Sequence, residues 1–217
     1  MNSVVVDASE STGLRARQKV ARHEVILSSA RSLFNTLGFA STTMAAIADA
    51  TGVSTPTVFN YFKSKDELLL ALVLQVHQQT QIKVRKFQST QGASIAESVS
   101  EFLGLYSKMS LDEIDRQTWR HVESTCIRMP NSGFVKQYDV LSAEMLDDFV
   151  RYLEPLAADT ALAGNGGLET LAAIMFNHWS RLFIDLVRDD SMSLERHIEC
   201  LGADLAVLIE LIVAQDD

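Results

Sequence analysis

Proline and glycine are scarce in this chain, which contains 3 prolines and 10 glycines among its 217 residues. Both residues interrupt helices and are common in the turns of β-rich folds, so their scarcity favours long helices. Hydrophobic residues make up 47% of the chain, which is enough for a substantial core. No stretch alternates apolar and polar residues as a strand does, and no internal repeat is present. The helical patterns along the chain predict an all-α fold of nine helices.

Cysteine and long apolar segments are scarce too. The two cysteines, Cys126 and Cys200, lie far apart and match no metal-binding spacing, so we predict free thiols in a reducing cytosol. No apolar run reaches the roughly 18 residues that a membrane span needs. Residues 1–12 lack the charged and apolar regions of a secretory signal. These absences predict a cytoplasmic protein with no membrane partner, no metal and no cofactor.

Negative charge dominates the chain, whose formal net charge is -9, but it is unevenly distributed. Residues 1–87 carry a net charge of +4, whereas residues 88–217 carry -13. This asymmetry indicates a nucleic-acid-binding module joined to an acidic domain, with chance clustering on solvated faces as the alternative. A basic run without an acid predicts either a phosphate or minor-groove contact or a plain solvated helix start. Its members are Arg15, Arg17, Lys19 and Arg22.

Helix start and stop signals divide the chain into three predicted regions. Residues 1–16 are predicted to form a flexible arm, residues 17–65 a small helical domain, and residues 66–217 a larger one. Apolar residues at helical spacing define the buried face of the first helix. They are Ile26, Ala30, Leu33, Phe34 and Leu37. In the larger domain, Ser110 to Glu113 reads as a capping box that opens a helix, and Gly164 to Gly167 as a flexible loop.

Residues 42–62 read as a helix, a glycine turn and a second helix. Gly52 supplies a backbone conformation that other residues resist, and small or branched apolar residues stand where the two helices must cross. The second helix of such a pair can lie in the DNA major groove. Its polar side is predicted to face the DNA and consists of Ser54, Thr55, Pro56, Thr57, Phe59, Asn60 and Tyr61. An Asn amide can pair with adenine and a Thr methyl group with thymine, which makes Thr57 and Asn60 the candidate base contacts.

The segment from Gly38 to Leu69 closely resembles the DNA-binding domain of the tetracycline-repressor (TetR) family. The matching elements are Gly38-Phe39, Thr42-Thr43, Ile47-Ala48, Gly52-Val53-Ser54 and Tyr61-Phe62-x-Ser64-Lys65-x-x-Leu68. The resemblance implies a bacterial transcription regulator that binds a near-palindromic double-stranded operator as a homodimer. It also implies phosphate contacts by Thr43 and Lys65. The chain departs from many members at Ala45 and Ala46, which are short, and at Phe59, where a tyrosine is common.

The resemblance further implies a small-molecule pocket among the middle helices and a dimer formed by the last two. Large or pliable apolar residues and a few polar ones are the candidate contacts for a small hydrophobic effector, with ordinary core as the alternative. They are Phe102, Tyr106, Met109, Trp119, His121, Glu123, Cys126, Met145, Phe149, Met175, His178 and Trp179. Apolar stripes on the last two helices predict the dimer interface, with packing inside one protomer as the alternative. They are Leu171, Met175, Leu182, Leu186, Leu194, Ile198, Leu201, Leu205, Leu208 and Ile212.

Two other classes of function have to be considered for this pattern of residues. An enzyme is disfavoured because His121, Glu123 and Cys126 lack a second cysteine pair for zinc, and no nucleophile or phosphate-loop motif is present. A helical interaction module that binds protein instead of DNA has the same pattern of helices. The sequence therefore favours a DNA-binding repressor released by its effector, and it does not identify the operator or the effector.

Overall fold

A computed structural model of the chain describes residues 8–158 and 167–213, and the side chains of residues 15–158 and 167–211. These ranges contain nine helices and no strand, which confirms the all-α prediction. The helices are α1 (Ala8–Leu37), α2 (Met44–Thr51), α3 (Thr55–Tyr61), α4 (Lys65–Val84), α5 (Ile95–Glu113), α6 (Arg116–Arg128), α7 (Gly133–Ala157), α8 (Leu168–Arg188) and α9 (Leu194–Val213). None of these helices is long and apolar enough to cross a membrane.

The chain divides into two compact units, Met1–Leu72 and Val73–Asp217. The boundary lies inside α4 and not at its first residue, where the sequence places it. Leu68, Leu69 and Leu72 are all buried, so the first two turns of α4 contribute to the core of the first unit. The helix is continuous across the boundary because nothing in its sequence interrupts it.

In the first unit, α1 begins earlier than predicted. We expected an arm over residues 1–16, but the helix starts at Ala8, and residues 1–7 lie outside the described part of the chain. Gly13 alone does not end the helix, because one glycine in a helix costs only about 1 kcal/mol relative to alanine. Ile26, Ala30 and Phe34 are buried as predicted, whereas Leu37 is 54% exposed because it stands in the last turn.

In the second unit, α5 packs along α9, and α8 packs against α6 and α7. The capping box predicted at Ser110 does not open a helix, because α5 continues to Glu113. Asp115 starts α6 instead, and its carboxylate accepts a hydrogen bond from the Thr118 N–H at 2.8 Å. Of the predicted loop Gly164 to Gly167, only Gly167 is described, and it precedes α8.

A buried hydrogen-bonded chain connects α5, α8 and α9. Trp179 Nε1 donates to Ser107 Oγ at 2.9 Å, and Ser107 Oγ lies 2.8 Å from His197 Nε2. Since the serine hydroxyl already accepts from Trp179, it can donate its proton to an unprotonated Nε2. Burial lowers the pKa of His197 to about 4. The histidine is therefore neutral in the folded protein at pH 7.

This histidine makes the stability of the second unit depend on pH. The unfolded chain binds the His197 proton with a pKa near 6.5, above the folded value, so the stabilisation is complete above about pH 6.5 and is lost as pH falls towards 4. We expect His197→Gln, which retains a hydrogen-bonding group, to lose less stability at low pH. Its free energy of unfolding should fall by up to about 3 kcal/mol less than that of the wild type between pH 6.5 and 4. Urea unfolding at several pH values measures this difference, and parallel profiles for the two proteins would contradict it.

Candidate nucleic-acid interface and ligand cavity

Three local devices fix the geometry of α2 and α3. Thr43 caps α2, and its hydroxyl accepts a hydrogen bond from the Ala46 N–H at 3.0 Å. Gly52 ends α2 with φ of 66°, in the left-handed region that favours glycine. Ser54 caps α3, where Pro56 is tolerated because first-turn N–H groups lack helical partners anyway. Together these devices set a tight turn between the two helices.

The polar side of α3 is exposed, as a reading surface requires. Val58 is completely buried and Phe62 nearly so, while Phe59 is 47% exposed. Asn60 is also exposed, and its side-chain amide makes no hydrogen bond to another described residue. Thr57 is partly exposed, and its hydroxyl lies 2.8 Å from that of Ser54. The other predicted contacts on this helix are exposed or partly exposed: Ser54, Thr55, Pro56 and Tyr61.

Lys65, predicted as a phosphate contact, has an additional role inside the first unit. Its ammonium donates to the carbonyl oxygens of Phe39 at 2.6 Å and Ala40 at 3.2 Å, and lies 4.5 Å from the centre of the Phe39 ring. Partial burial lowers the pKa of Lys65. Two of its three donors therefore hold the loop between α1 and α2, which leads to the cap at Thr43. Phosphate binding by the third donor remains a prediction.

The basic run on α1 lies beside α3. Arg15, Lys19 and Arg22 share one face of the helix, and they line a surface cleft with Tyr61 at the end of α3. Arg17 points elsewhere on the helix and does not line the cleft. No sequence pattern alone could associate these basic side chains with α3, because the association depends on how α1 and α3 pack.

A cavity of about 150 Å³ lies in the second unit, among residues of α4 to α8. Of the twelve predicted contacts, it brings together Tyr106, Trp119, Glu123, Met145 and Trp179. The others do not line it. Phe102 and Phe149 pack in an aromatic cluster with Tyr152. His178 instead bonds to Asp204 at 2.8 Å. The remaining four that lie away from the cavity lining are Met109, His121, Cys126 and Met175.

Most of the cavity wall escaped the sequence analysis. The missed residues form three helical rows and one single contact: Val73, Val76, His77 and Thr80 on α4; Tyr138, Leu141 and Ser142 on α7; Phe176, Ser180, Phe183 and Ile184 on α8; and Ser110 on α5. Their spacing of three and four residues was a usable signal on each helix. The sequence does not show that these rows line one cavity, because this depends on how the helices pack.

The polar groups of the cavity are acidic or neutral. Burial raises the pKa of Glu123, whose carboxylate accepts a hydrogen bond from the Tyr138 hydroxyl at 3.3 Å. Burial also raises the pKa of Tyr138 well above its usual value. His77, which also lines the cavity, has its Nε2 atom 2.9 Å from the Glu144 carboxylate. Among the described residues that line the cavity, none is lysine or arginine.

Half of the predicted dimer residues are buried within the single chain. Leu171, Met175, Leu186, Leu201 and Leu205 are buried in the single chain, which leaves little surface for a second chain. Leu182, Leu194, Ile198 and Leu208 are partly exposed, and the side chain of Ile212 lies outside the described residues. The exposed large apolar side chains of α8 and α9 are instead Ile174, Val207 and Leu211.

Comparison with known proteins identifies the first unit. Residues 26–72 match the family described as "Bacterial regulatory proteins, tetR family". Over 69 residues, 32% of this chain, the sequence is 38% identical to the HTH-type transcriptional regulator RutR of Escherichia coli K12 and of Shigella flexneri. The match spans 32% of the length of RutR, so RutR is a relative of the reading domain. The first unit is therefore similar to the TetR family of bacterial regulatory proteins.

Solved TetR-family structures share the fold of the chain along most of its length. A TetR-family regulator from Pectobacterium atrosepticum superimposes with a TM-score of 0.70 at 15% identity, covering 92% of this chain and 97% of its own. FadR of Thermus thermophilus, a TetR-family repressor in complex with lauroyl-CoA, gives 0.63 at 21% identity, with 87% and 93% covered. These likenesses confirm a helix-turn-helix domain followed by a larger helical domain. The family that residues 26–72 match consists of regulatory proteins.

The contacts of Lys65 predict a local effect that does not depend on DNA. Lys65→Met removes the donors to two carbonyl groups, and we expect amide hydrogen exchange in residues 38–43 to accelerate by about 30-fold, since the two bonds together contribute about 2 kcal/mol. Lys63→Met is the matched control because Lys63 is an exposed neighbour. Equal exchange in the two variants would contradict the loop-holding role.

Proposed function

We propose that this protein is a homodimeric repressor that binds a near-palindromic operator through α3 and is released by a small effector bound in the cavity. The observation that carries the proposal is the exposed polar side of α3. Val58 on this helix is buried, whereas the side chain of Asn60 is exposed. A regulator that binds chromosomal DNA works in the bacterial cytoplasm, in line with the predicted location.

The proposed DNA contacts are of two kinds. Thr57 and Asn60 contact base edges in the major groove, because a hydroxyl with its methyl group and an amide can distinguish base pairs there. Thr43, Tyr61 and the basic face of α1 contact phosphates, which adds affinity without selecting sequence. The exposed Phe59 ring supplies apolar contact and cannot donate the hydrogen bond that a tyrosine would.

The proposed release mechanism is differential binding. An effector that binds one conformation of the protein more tightly shifts the population towards that conformation. DNA affinity changes only if the two conformations bind DNA differently. The continuous helix α4 supports this mechanism, because its first residues belong to the reading unit and four of its later residues line the cavity. A coupling of 1–3 kcal/mol is typical and changes DNA affinity by about 5- to 150-fold.

Dimerisation is proposed through the exposed faces of α8 and α9. Ile174 is 51% exposed, Val207 58% and Leu211 62%, and a second copy related by a two-fold axis would cover them in a four-helix arrangement. We expect sedimentation to report twice the chain mass, and Val207→Glu to shift the protein to monomer by placing a charge at the interface. Ile127→Glu is the control because Ile127 is 80% exposed on α6. An unchanged dimer in the Val207 variant would exclude this face.

The basic face of α1 gives a test that needs no knowledge of the operator. Binding to a non-specific DNA duplex is measured across salt concentrations, and each lost phosphate contact lowers the slope of log affinity against log salt by about 0.9. We expect this loss for Lys19→Ala and for Arg22→Ala, which alter the cleft beside Tyr61. Arg17→Ala, of equal charge on the same helix, should leave the slope unchanged.

Two results would contradict the DNA interface. An equal effect of Arg17→Ala and Lys19→Ala would mean that the contribution comes from net charge alone. Absence of any salt-dependent binding by the wild-type protein would favour the alternative, a helical module that binds protein.

A further inference from the structure

Two polar atoms in the cavity wall lack partners among the described residues. Tyr106 is 2% exposed, and its buried hydroxyl makes no hydrogen bond. His77 is 6% exposed, and its Nδ1 atom is likewise buried without a partner. A buried polar group without a partner is costly, and most such groups in folded proteins are satisfied by a neighbour, a water molecule or a ligand. Both residues line the same cavity, which therefore offers unsatisfied hydrogen-bonding capacity to whatever occupies it.

The hydrogen-bonding roles of these two atoms follow from their surroundings. His77 Nε2 lies 2.9 Å from a carboxylate oxygen of Glu144, an acceptor, so Nε2 carries a proton; when that is the only proton on the ring, Nδ1 is an acceptor. Burial raises the pKa of Tyr106, which keeps its hydroxyl protonated and able to donate. The cavity thus presents a donor at Tyr106 and an acceptor at His77.

The size and walls of the cavity define the rest of the ligand. A volume of about 150 Å³ accommodates a molecule of the size of benzene. Aromatic rings of Trp119, Trp179 and Phe183 form part of the wall, and they favour a flat ring that stacks or packs edge to face. A long acyl chain with a charged head does not fit this volume.

The wall offers no permanent positive charge to an anionic ligand. Glu123 lines the cavity, and no lysine or arginine among the described lining residues could neutralise a carboxylate or phosphate. An anion would have to lose its hydration without gaining an opposite charge, which is strongly unfavourable.

We propose that the effector is an uncharged, single-ring aromatic molecule carrying a group that both donates and accepts a hydrogen bond, such as a phenolic hydroxyl. The ring packs against the aromatic wall, and its hydroxyl group accepts a hydrogen bond from the Tyr106 hydroxyl and donates one to His77 Nδ1. This assignment rests on the proposed function, because it names the chemistry of the molecule that the cavity is proposed to sense.

Phenol, benzene and benzoate are the probes that separate these physical requirements. Trp119 and Trp179 are the two tryptophans of the sequence and both line the cavity, so intrinsic fluorescence reports its occupation directly. We expect phenol to bind about tenfold more tightly than benzene, since one or two hydrogen bonds add to the same ring. Benzoate, of similar size but anionic, should bind most weakly.

Tyr106→Phe tests the hydrogen-bonding role without changing the shape of the ring. We expect it to weaken phenol binding by about fivefold to tenfold and to leave benzene binding unchanged. Circular dichroism should show no loss of thermal stability, because the removed hydroxyl has no partner in the protein. Tyr152→Phe is the matched control, since its hydroxyl donates to the Ser98 carbonyl oxygen and does not line the cavity.

Three outcomes would overturn the assignment: tighter binding of benzoate than of phenol, equal binding of phenol and benzene with no effect of Tyr106→Phe, or no fluorescence change with any probe at millimolar concentration. Mobility of a DNA complex with and without phenol is measured separately. If phenol occupies the cavity as expected but DNA binding does not respond, the ligand chemistry stands and the proposed regulation fails.

Discussion

The burial of Val58 against α2 is the contact on which the reading surface depends. Helix α3 has only seven residues, and a helix of that length is not stable in water on its own. Val58, Ile47 and Ala48 are all buried where α2 and α3 pack, and the small Ala48 side chain allows the helices to approach closely. Because this contact turns one side of α3 inwards, Asn60 and its polar neighbours must face outwards. The proposed DNA contacts thus follow from an apolar contact on the opposite side of the same helix.

Single helices of the second unit contribute to the cavity, to the core and to the exposed surface. On α8, Trp179 and Phe183 line the cavity, whereas Leu186 is buried completely and Ile174 is exposed. One helix therefore serves the cavity, the core and a surface available to a second chain. The buried link from Trp179 through Ser107 to His197 fixes one wall of the cavity with hydrogen bonds, which are more directional than apolar contacts. A wall held in this way can discriminate between ligands by the placement of their polar groups.

Local signals made the reading domain predictable from the sequence. Caps at Thr43 and Ser54 and the glycine at position 52 act within a few residues, so the bounds of α2 and α3 could be predicted closely. The second role of Lys65 could not, because it joins residues 26 positions apart. Position in the fold, and not residue type, determines which residues line the cavity. Phe102 and Trp179 are equally suited to a ligand pocket, but only Trp179 lines it. An apolar stripe likewise cannot show whether it is covered by its own chain, as Leu201 and Leu205 are, or by another.

The central claim is that the outward side of α3 selects DNA sequence. Selection of bound duplexes from a random pool by the purified protein, followed by sequencing, tests it most directly. We expect enrichment of a motif with two inverted halves in the wild-type pool, and loss of preference at one or two symmetric positions in the pool selected by Asn60→Ala. A pool without enrichment, or an identical motif from the two proteins, would contradict it.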